Sequence, residues 1–405
     1  MSVADALALL AERVSCVVAT ETVPLAQAHG RFLADPVTSG RNVPGFDNAA
    51  VDGYAFAFSD LTPEGETRLR VTERAAAGDA AGKPLGPGAA GRIFTGAMMP
   101  GGADTVIMEE DVRREGTWVV IPPGVKCGAN RRKAGEDIPK GAMVLERGLR
   151  LRPQDIGVAA SLGRASLEVY RPLRVALFST GNELREPGQS LPPGGVYDSN
   201  RYMLDAMLRD MGCAVGDLGI LADMEAAVRE AIGRAAADHH VVITSGGASR
   251  GEEDHVIAAL RALGRIHFWQ LAIKPGRPLA FGQIGGTVFL GLPGNPVAAA
   301  LCLLRFARPV LSVLAGGKWA EPVTYRVPAD FDFRKKPNRR EWLRAKLVIG
   351  EDGVRRVRKF PREGSGILTS LSETDGLIEL PEELTAFSRG DLVDFLPFSE
   401  LGIPS

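Results

Sequence analysis

Four short segments in the middle third of the chain carry the residue types that could do chemistry: Thr180-Gly-Asn-Glu183, Ser245-Gly-Gly-Ala-Ser-Arg-Gly-Glu-Glu-Asp254, Lys274-Pro-Gly-Arg-Pro278 and Leu292-Pro-Gly-Asn-Pro296. Ser245-Gly246-Gly247 directly follows an apolar run and Asp254 stands near the start of the next helix, so backbone N–H groups and a helix N-terminus could hold an anion there. Taken alone, that segment reads equally well as a tight turn with Asp254 as a helix cap. Glu183 and Asp223 also follow strands of the same region, and three carboxylates beside an anion cradle repel one another unless a hard cation such as Mg²⁺ bridges them. By itself Asp223 reads as the cap of the helix beginning near Met224. Lys274 and Arg277, in a proline-stiffened loop, suit a tetrahedral oxyanion or a phosphate. Pro293 and Pro296 surround Gly294-Asn295 in a rigid turn, where Pro296 could simply open the following helix. Together the segments point to a phosphorylated or oxyanionic ligand with a divalent cation.

From residue 173 to about 314 apolar β-prone runs alternate with helical patterns: strands at 174–179, 217–221, 240–244, 267–273, 279–281 and 287–290, helices at 201–211, 225–236, 254–263 and after Pro296. Such βαβ alternation predicts a mostly parallel sheet covered on both faces, with its loops gathered at one edge where an open α/β fold binds its ligand. The flanks differ. Residues 3–14 and 24–33 suggest helices, the second ending near Asp35-Pro36. From about 42 to 138 Gly and Pro punctuate short β-prone runs at 67–71, 91–95, 105–108 and 117–121. A helix near Pro153 follows, and because 139–170 has no sheet of its own it is expected to pack with the N-terminal segment, making the β-rich part an insertion. Short strands return after about residue 320. The expected fold class is α/β multidomain: 1–41 plus 139–170, an inserted β-rich domain at 42–138, a central α/β domain at 171–316 and a C-terminal β domain at 317–405.

At 405 residues with 45% hydrophobic composition, roughly two to four domains are expected. Lys plus Arg (48) nearly equals Asp plus Glu (49), which removes the broad basic field of a nucleic-acid binder, so anion recognition must be local. Cys16, Cys127, Cys213 and Cys302 form no Cys-x-x-Cys pair, favouring a reducing cytoplasm over a disulfide framework or thiolate zinc site. No uninterrupted apolar run reaches the roughly 20 residues that span a bilayer, and Asp5, Glu12 and Arg13 do not suit a signal peptide. The five histidines lack ligand spacing. No Gly-x-Ser-x-Gly elbow, Walker loop or dinucleotide fingerprint follows the first strand of the α/β region, so serine hydrolases, P-loop ATPases and dehydrogenases lose weight.

Asp47-Asn-Ala-Ala-Val-Asp-Gly-Tyr-Ala, Arg92-Ile-Phe-Thr-Gly-Ala, Gly135-Glu-Asp, Ser179-Thr-Gly-Asn-Glu-Leu, Tyr197-Asp-Ser-Asn, Ser245-Gly-Gly-Ala-Ser, Lys274-Pro-Gly-Arg-Pro and Gly291-Leu-Pro-Gly-Asn-Pro-Val occur in that order over nearly the whole chain. This series resembles the molybdopterin molybdenumtransferase family, which includes MoeA and the gephyrin E domain. The resemblance implies an elongated homodimer of four-domain subunits, and Mg²⁺-dependent cleavage of adenylylated molybdopterin with insertion of molybdate and release of AMP. It implies metal binding and phosphate activation by Glu183, Asp223 and Asp254, and a phosphate cradle at Ser245, Gly246 and Gly247. Asp198, Ser199 and Asn200, with Pro293, Asn295 and Pro296, would border the pterin-nucleotide pocket, and Lys274, Arg277, Arg344 and Ser365 would hold molybdate. Asp52, Thr95 and Asp137 would approach that cleft from the second subunit. Contacts with a molybdopterin adenylyltransferase and a molybdoenzyme chaperone belong to the same expectation. Gln270 stands where many members carry Lys, Asn182 where Asp is frequent, and Arg277 replaces a usual Lys with charge kept; Arg339 competes with Arg344 for the C-terminal anion contact. The rival readings are molybdopterin adenylyltransferase, whose stand-alone fold resembles residues 173–314, and a non-catalytic gephyrin-like scaffold. The flanking domains and the Pro-Gly-Asn-Pro turn favour the transferase.

Overall fold

The computed structural model describes residues 1–80, 82–247 and 255–403. Its central sheet has six strands in the order Ala214–Leu221, Arg174–Thr180, Val241–Ser245, Thr287–Leu292, Pro278–Ile284 and Arg265–Gln270. The first four are parallel and Pro278–Ile284 runs opposite to both neighbours, so the sheet is mostly parallel, as expected. Side chains of a strand alternate between faces, and both faces here are covered. Val175, Leu177, Val241, Ile243, Val288 and Leu290 enter one core with Leu204 and Leu208 of helix Ser199–Asp210. Ala176, Phe178, Val242 and Phe289 enter the other with Val228 and Ile232 of helix Glu225–Asp238 and with Val256 and Leu260 of helix His255–Leu263. That double burial is why these strands read as unbroken apolar runs.

The first core also receives the segment Pro296–Leu314, helical turns Pro296–Cys302 and Arg308–Leu314 joined by a π turn at Leu303–Ala307. It is long and apolar enough to cross a bilayer, but 83% of its apolar window is buried inside the protein, which is the environment of a core helix. Pro309, with no N–H to donate, sits just beyond the π turn, where the helical ladder is already interrupted.

Helix Val3–Arg13, capped by Ser2 Oγ accepting from the Asp5 amide at 3.1 Å, buries Val3, Ala6 and Leu10 in the central core. Its apolar stripe therefore packs in the core shared with the α/β unit, a cluster that also takes Tyr170. The remaining N-terminal residues join segment 139–170: Thr20–Pro24 pairs with Ser166–Tyr170 and Val37–Thr38 with Met143–Leu145. The helix expected over 24–33 is absent; only a 3₁₀ turn, Leu25–Gln27, forms, because Ala28 and Leu33 are drawn into a cluster with Leu145, Leu151, Leu167 and Val169. Between these halves lies a second six-stranded sheet, ordered Thr105–Met108, Gly53–Phe56, Ala89–Ile93, Thr67–Ala75, Trp118–Ile121 and Arg113–Glu115. A Cβ at Gly53 would lie 1.8 Å from the Ile107 carbonyl oxygen, so only glycine lets these strands pair after Asp52.

The C-terminal sheet is ordered Ile273–Lys274, Arg340–Ile349, Gly376–Leu380, Leu392–Pro397 and Tyr325–Pro328. Its first strand is a loop of the central unit, paired in parallel with Ile273 opposite Arg340 and Lys274 opposite Glu341. Trp342, 1% exposed, backs this junction edge-on to Phe306 with ring centroids 6.2 Å apart, and its indole N–H donates to Glu379 Oε2 at 2.9 Å. Trp342→Ala should cost about 3–5 kcal/mol, read as a lowered denaturation midpoint with earliest loss of amide protection in residues 340–397. An unchanged midpoint would mean that this junction does not hold the C-terminal sheet.

Candidate functional site

A cleft of about 1000 Å³ opens between the carboxyl edge of the central sheet and the junction strand of the C-terminal sheet. Its sheet wall starts at the ends of two buried strands, where Ser179, Thr180, Ser245 and Gly246 line the cavity. Gly246 has φ +92° and a Cβ there would lie 2.8 Å from the Thr180 carbonyl oxygen, so the turn requires glycine. The Gly246 amide donates to the Leu292 carbonyl at 3.1 Å. Of the residues expected as a phosphate cradle, Ser245 and Gly246 thus reach the cavity, with the Gly246 amide taken by continuing strand pairing, while Gly247 follows without lining it.

Asn200 fixes the relation between two of the loops. It is buried, and its Nδ2 donates to Ser245 Oγ at 2.8 Å and to the Gly294 carbonyl at 2.7 Å. Asp198 caps the same helix, accepting from the Arg201 amide at 3.2 Å and from Arg201 Nε at 3.0 Å, so its carboxylate is committed to the scaffold although it borders the cleft. Ser199, Pro293, Asn295 and Pro296 also line the cavity. Pro296 is the first residue of its helix, and the Asn295 side chain makes no capping bond. The Val297 amide donates to the Ser365 carbonyl at 3.0 Å, drawing the C-terminal loop 363–366 over this helix start.

The opposite wall is cationic. Lys274, Arg277, Arg339 and Arg344 all line the cleft, as do Glu341 and Glu363. Arg344 is 7% exposed and, among the described residues, donates only to neutral oxygens: Ser370 Oγ at 3.0 Å and the carbonyls of Gly364 at 3.0 Å and Arg362 at 3.5 Å. Burial, opposed by attraction to Glu363, pushes its guanidinium below the ordinary arginine value. Such a cation gains from an arriving anion. Arg277 is exposed, and its side chain has no hydrogen-bond or ion-pair partner among the described residues. Arg339 is instead neutralised by Glu341, its Nε and Nη2 each 2.7 Å from Glu341 Oε1. Both arginines expected for the C-terminal contact thus reach the cleft, but of the two only Arg344 lacks a salt-bridged carboxylate among the described residues. Gln270 lines a smaller neighbouring cavity that shares Arg277 and Arg339.

Of the three expected carboxylates, two lie among the described residues. Glu183 is exposed on the cleft, and Asp254 lies outside the described residues. Asp223 does not line the cavity, nor does it cap the next helix: the cap position belongs to Met224, one residue later, and no side chain caps that end. Among the described residues no cluster of three or more His, Cys, Asp or Glu could hold a metal ion. Asp52, Thr95 and Asp137 also lie away from this cleft. Asp52 Oδ1 accepts from the Thr95 amide and hydroxyl, each at 2.7 Å, and the Thr95 backbone bond, then its hydroxyl, hold the carboxyl below the usual range. Asp137 is exposed beside Val43, to whose carbonyl its amide donates at 3.1 Å.

Ser179, Tyr197, Glu341 and Glu363 are among the cleft residues that escaped assignment from sequence. Ser179 Oγ is buried without a hydrogen-bond partner among the described residues, as is Glu341 Oε2. Tyr197 lies on the cleft, half exposed, with its hydroxyl donating to the Gln189 carbonyl at 2.9 Å. Ser179 and Tyr197 stand inside quoted motifs, so position beside Thr180 and Asp198 was an available signal. Glu341 carried none, since its value depends on which strand it pairs with.

Residues 1–163 match the MoeA N-terminal region (domain I and II), residues 176–313 a domain described as a probable molybdopterin binding domain, and residues 326–398 the MoeA C-terminal region (domain IV). The chain is 38% identical over 385 residues to a molybdopterin molybdenumtransferase of Haemophilus influenzae, covering 94% of this chain and 95% of that one. It is 37% identical over 380 residues to that of a Nostoc species, covering 92% and 87%. A crystal structure of the molybdopterin biosynthesis moeA protein from Pyrococcus horikoshii OT3 superposes with a TM-score of 0.85 at 29% identity, covering 98% of this chain and 99% of that one. With matches to all three regions and a relative of this identity spanning nearly its full length, the chain belongs to the MoeA family of molybdopterin molybdenumtransferases.

Proposed function

We propose that the cleft is where this chain, as a molybdopterin molybdenumtransferase, takes adenylylated molybdopterin and molybdate and releases AMP and molybdenum cofactor. The observation that carries the reading is the cationic wall: Lys274, a buried Arg344 with no carboxylate partner among the described residues and an Arg277 unpaired among them face one cavity in a protein whose formal net charge is only −1. A tetrahedral dianion suits that wall, with Ser365 supplying a hydroxyl. Asp198, Ser199, Asn200, Pro293, Asn295 and Pro296 shape the side of the cleft that takes the pterin nucleotide. Their rigidity lowers the cost of ordering the ligand.

Mg²⁺ would neutralise charge on the substrate phosphates. Of its expected ligands only Glu183 borders the cleft among the described residues, so these do not assemble a closed metal site. The position of Asp52, Thr95 and Asp137 off their own subunit's cleft suits a homodimer in which they serve the partner's site. The cytoplasmic setting is compatible with four cysteines that are all unpaired.

AMP release from adenylylated molybdopterin should depend on molybdate, stop with a chelator and return with added Mg²⁺; a rate indifferent to chelation would remove the metal from the account. Glu183→Gln and Asp254→Asn should each strongly reduce AMP release, and near-normal rates in both would refute their roles. Arg344→Gln removes a charge-assisted contact worth about 1.5–3 kcal/mol, so the molybdate KM should rise roughly tenfold or more with the nucleotide KM little changed. Formation of adenylylated molybdopterin from ATP would instead favour the adenylyltransferase reading.

A further inference from the structure

Glu341 is a buried carboxylate that meets two cations of the cleft. It is 1% exposed on the strand Arg340–Ile349, directly opposite Lys274 in the junction ladder. A carboxylate so removed from water must be matched by positive charge and hydrogen bonds. Oε1 takes the Arg339 fork, whereas Oε2 has no hydrogen-bond partner among the described residues and faces Lys274 Nζ at 3.4 Å. Lys274 is thus the group that balances Oε2, and the pairing restrains an ammonium on a flexible stem.

Lys274 has a second suitor. Glu363 Oε2 lies 3.7 Å from its Nζ, on the exposed loop that also carries Ser365. Glu363 also pairs with Lys359 at 3.4 Å, and its side chain is 56% exposed. Across the wall, among the described residues, four cations, Lys274, Arg277, Arg339 and Arg344, face two carboxylates, Glu341 and Glu363, leaving two positive charges to meet a dianion.

We propose that Glu341 is a positioning residue that holds Lys274 and Arg339 in place for the oxyanion, and that Glu363 is the competing carboxylate which the oxyanion displaces from Lys274. Resting on the proposed function, this assigns roles within its oxyanion subsite. Without the charge of Glu341, Lys274 turns to Glu363 and the anion must compete for it; without Glu363, it is free for the anion.

The test is a cycle of Glu341→Gln, Glu363→Gln and the double variant, each confirmed as folded by circular dichroism and thermal midpoint. For each, the KM for molybdate and for adenylylated molybdopterin is measured, and the Kd for molybdate by calorimetry. Glu341→Gln should raise the molybdate KM and Kd about tenfold, the scale of one charge-assisted contact, with the nucleotide KM within about twofold. Glu363→Gln should lower the molybdate Kd, and the double variant should recover most of the loss. Molybdate constants unchanged in Glu341→Gln, or both substrates weakened alike, would overturn the proposal, as would a double variant no better than Glu341→Gln. Should Glu341→Gln fail to fold, Glu363→Gln decides alone: molybdate binding no tighter than in the parent protein would refute the competition. If the parent protein released no molybdate-dependent AMP, the functional reading would fall, and the Kd values, which need no turnover, would still decide these roles.

Discussion

The short parallel pairing of Ile273–Lys274 with Arg340–Glu341 is the contact on which the site depends. It threads a loop of the central α/β unit into the C-terminal sheet, so residues separated by a long stretch of chain share one wall. Two residues of ladder contribute only about 1 kcal/mol per hydrogen bond, too little to hold the sheet alone. The junction is reinforced by the Arg340 amide donating to the Ala272 carbonyl at 3.0 Å and by Trp342 wedged against Phe306. Arg305 of the core helix and Arg340 both pair with Glu379, at 3.4 and 2.8 Å, which ties that helix to the C-terminal strands.

The facing wall comes from the parallel sheet itself. All parallel strands end on one side, so their connecting loops converge there whatever their sequence. What this sequence adds is stiffness: the Asn200 amide bridges Ser245 and Gly294, and the Asp198–Arg201 pair anchors the start of the same helix. A near-neutral protein thereby concentrates positive potential in one concave place, where low-dielectric walls strengthen it. Arg344 contributes most, since among the described residues no carboxylate pairs with it at salt-bridge distance.

The alternation of apolar runs with helical patterns revealed the central sheet because burial on both faces leaves a strong local imprint. The loop motifs were legible for a related reason: glycine, proline and charge clustered immediately after strands have few structural uses. Residues 24–33 misled because their apolar spacing serves a long-range cluster with residues 145–169, and local pattern does not encode that partner. As a helix cap Asp223 misled, because the cap position falls one residue later, at Met224. Glu341 was invisible for the opposite reason, since only the register of the junction strand turns an acidic residue between arginines into the counter-charge of Lys274.

Diffraction from crystals soaked in tungstate, recorded at the tungsten absorption edge, tests the central claim most directly. The account predicts an anomalous peak within hydrogen-bond reach of Lys274 and Arg344, with the Ser365 loop alongside. A dominant peak elsewhere, with this wall empty, would contradict it.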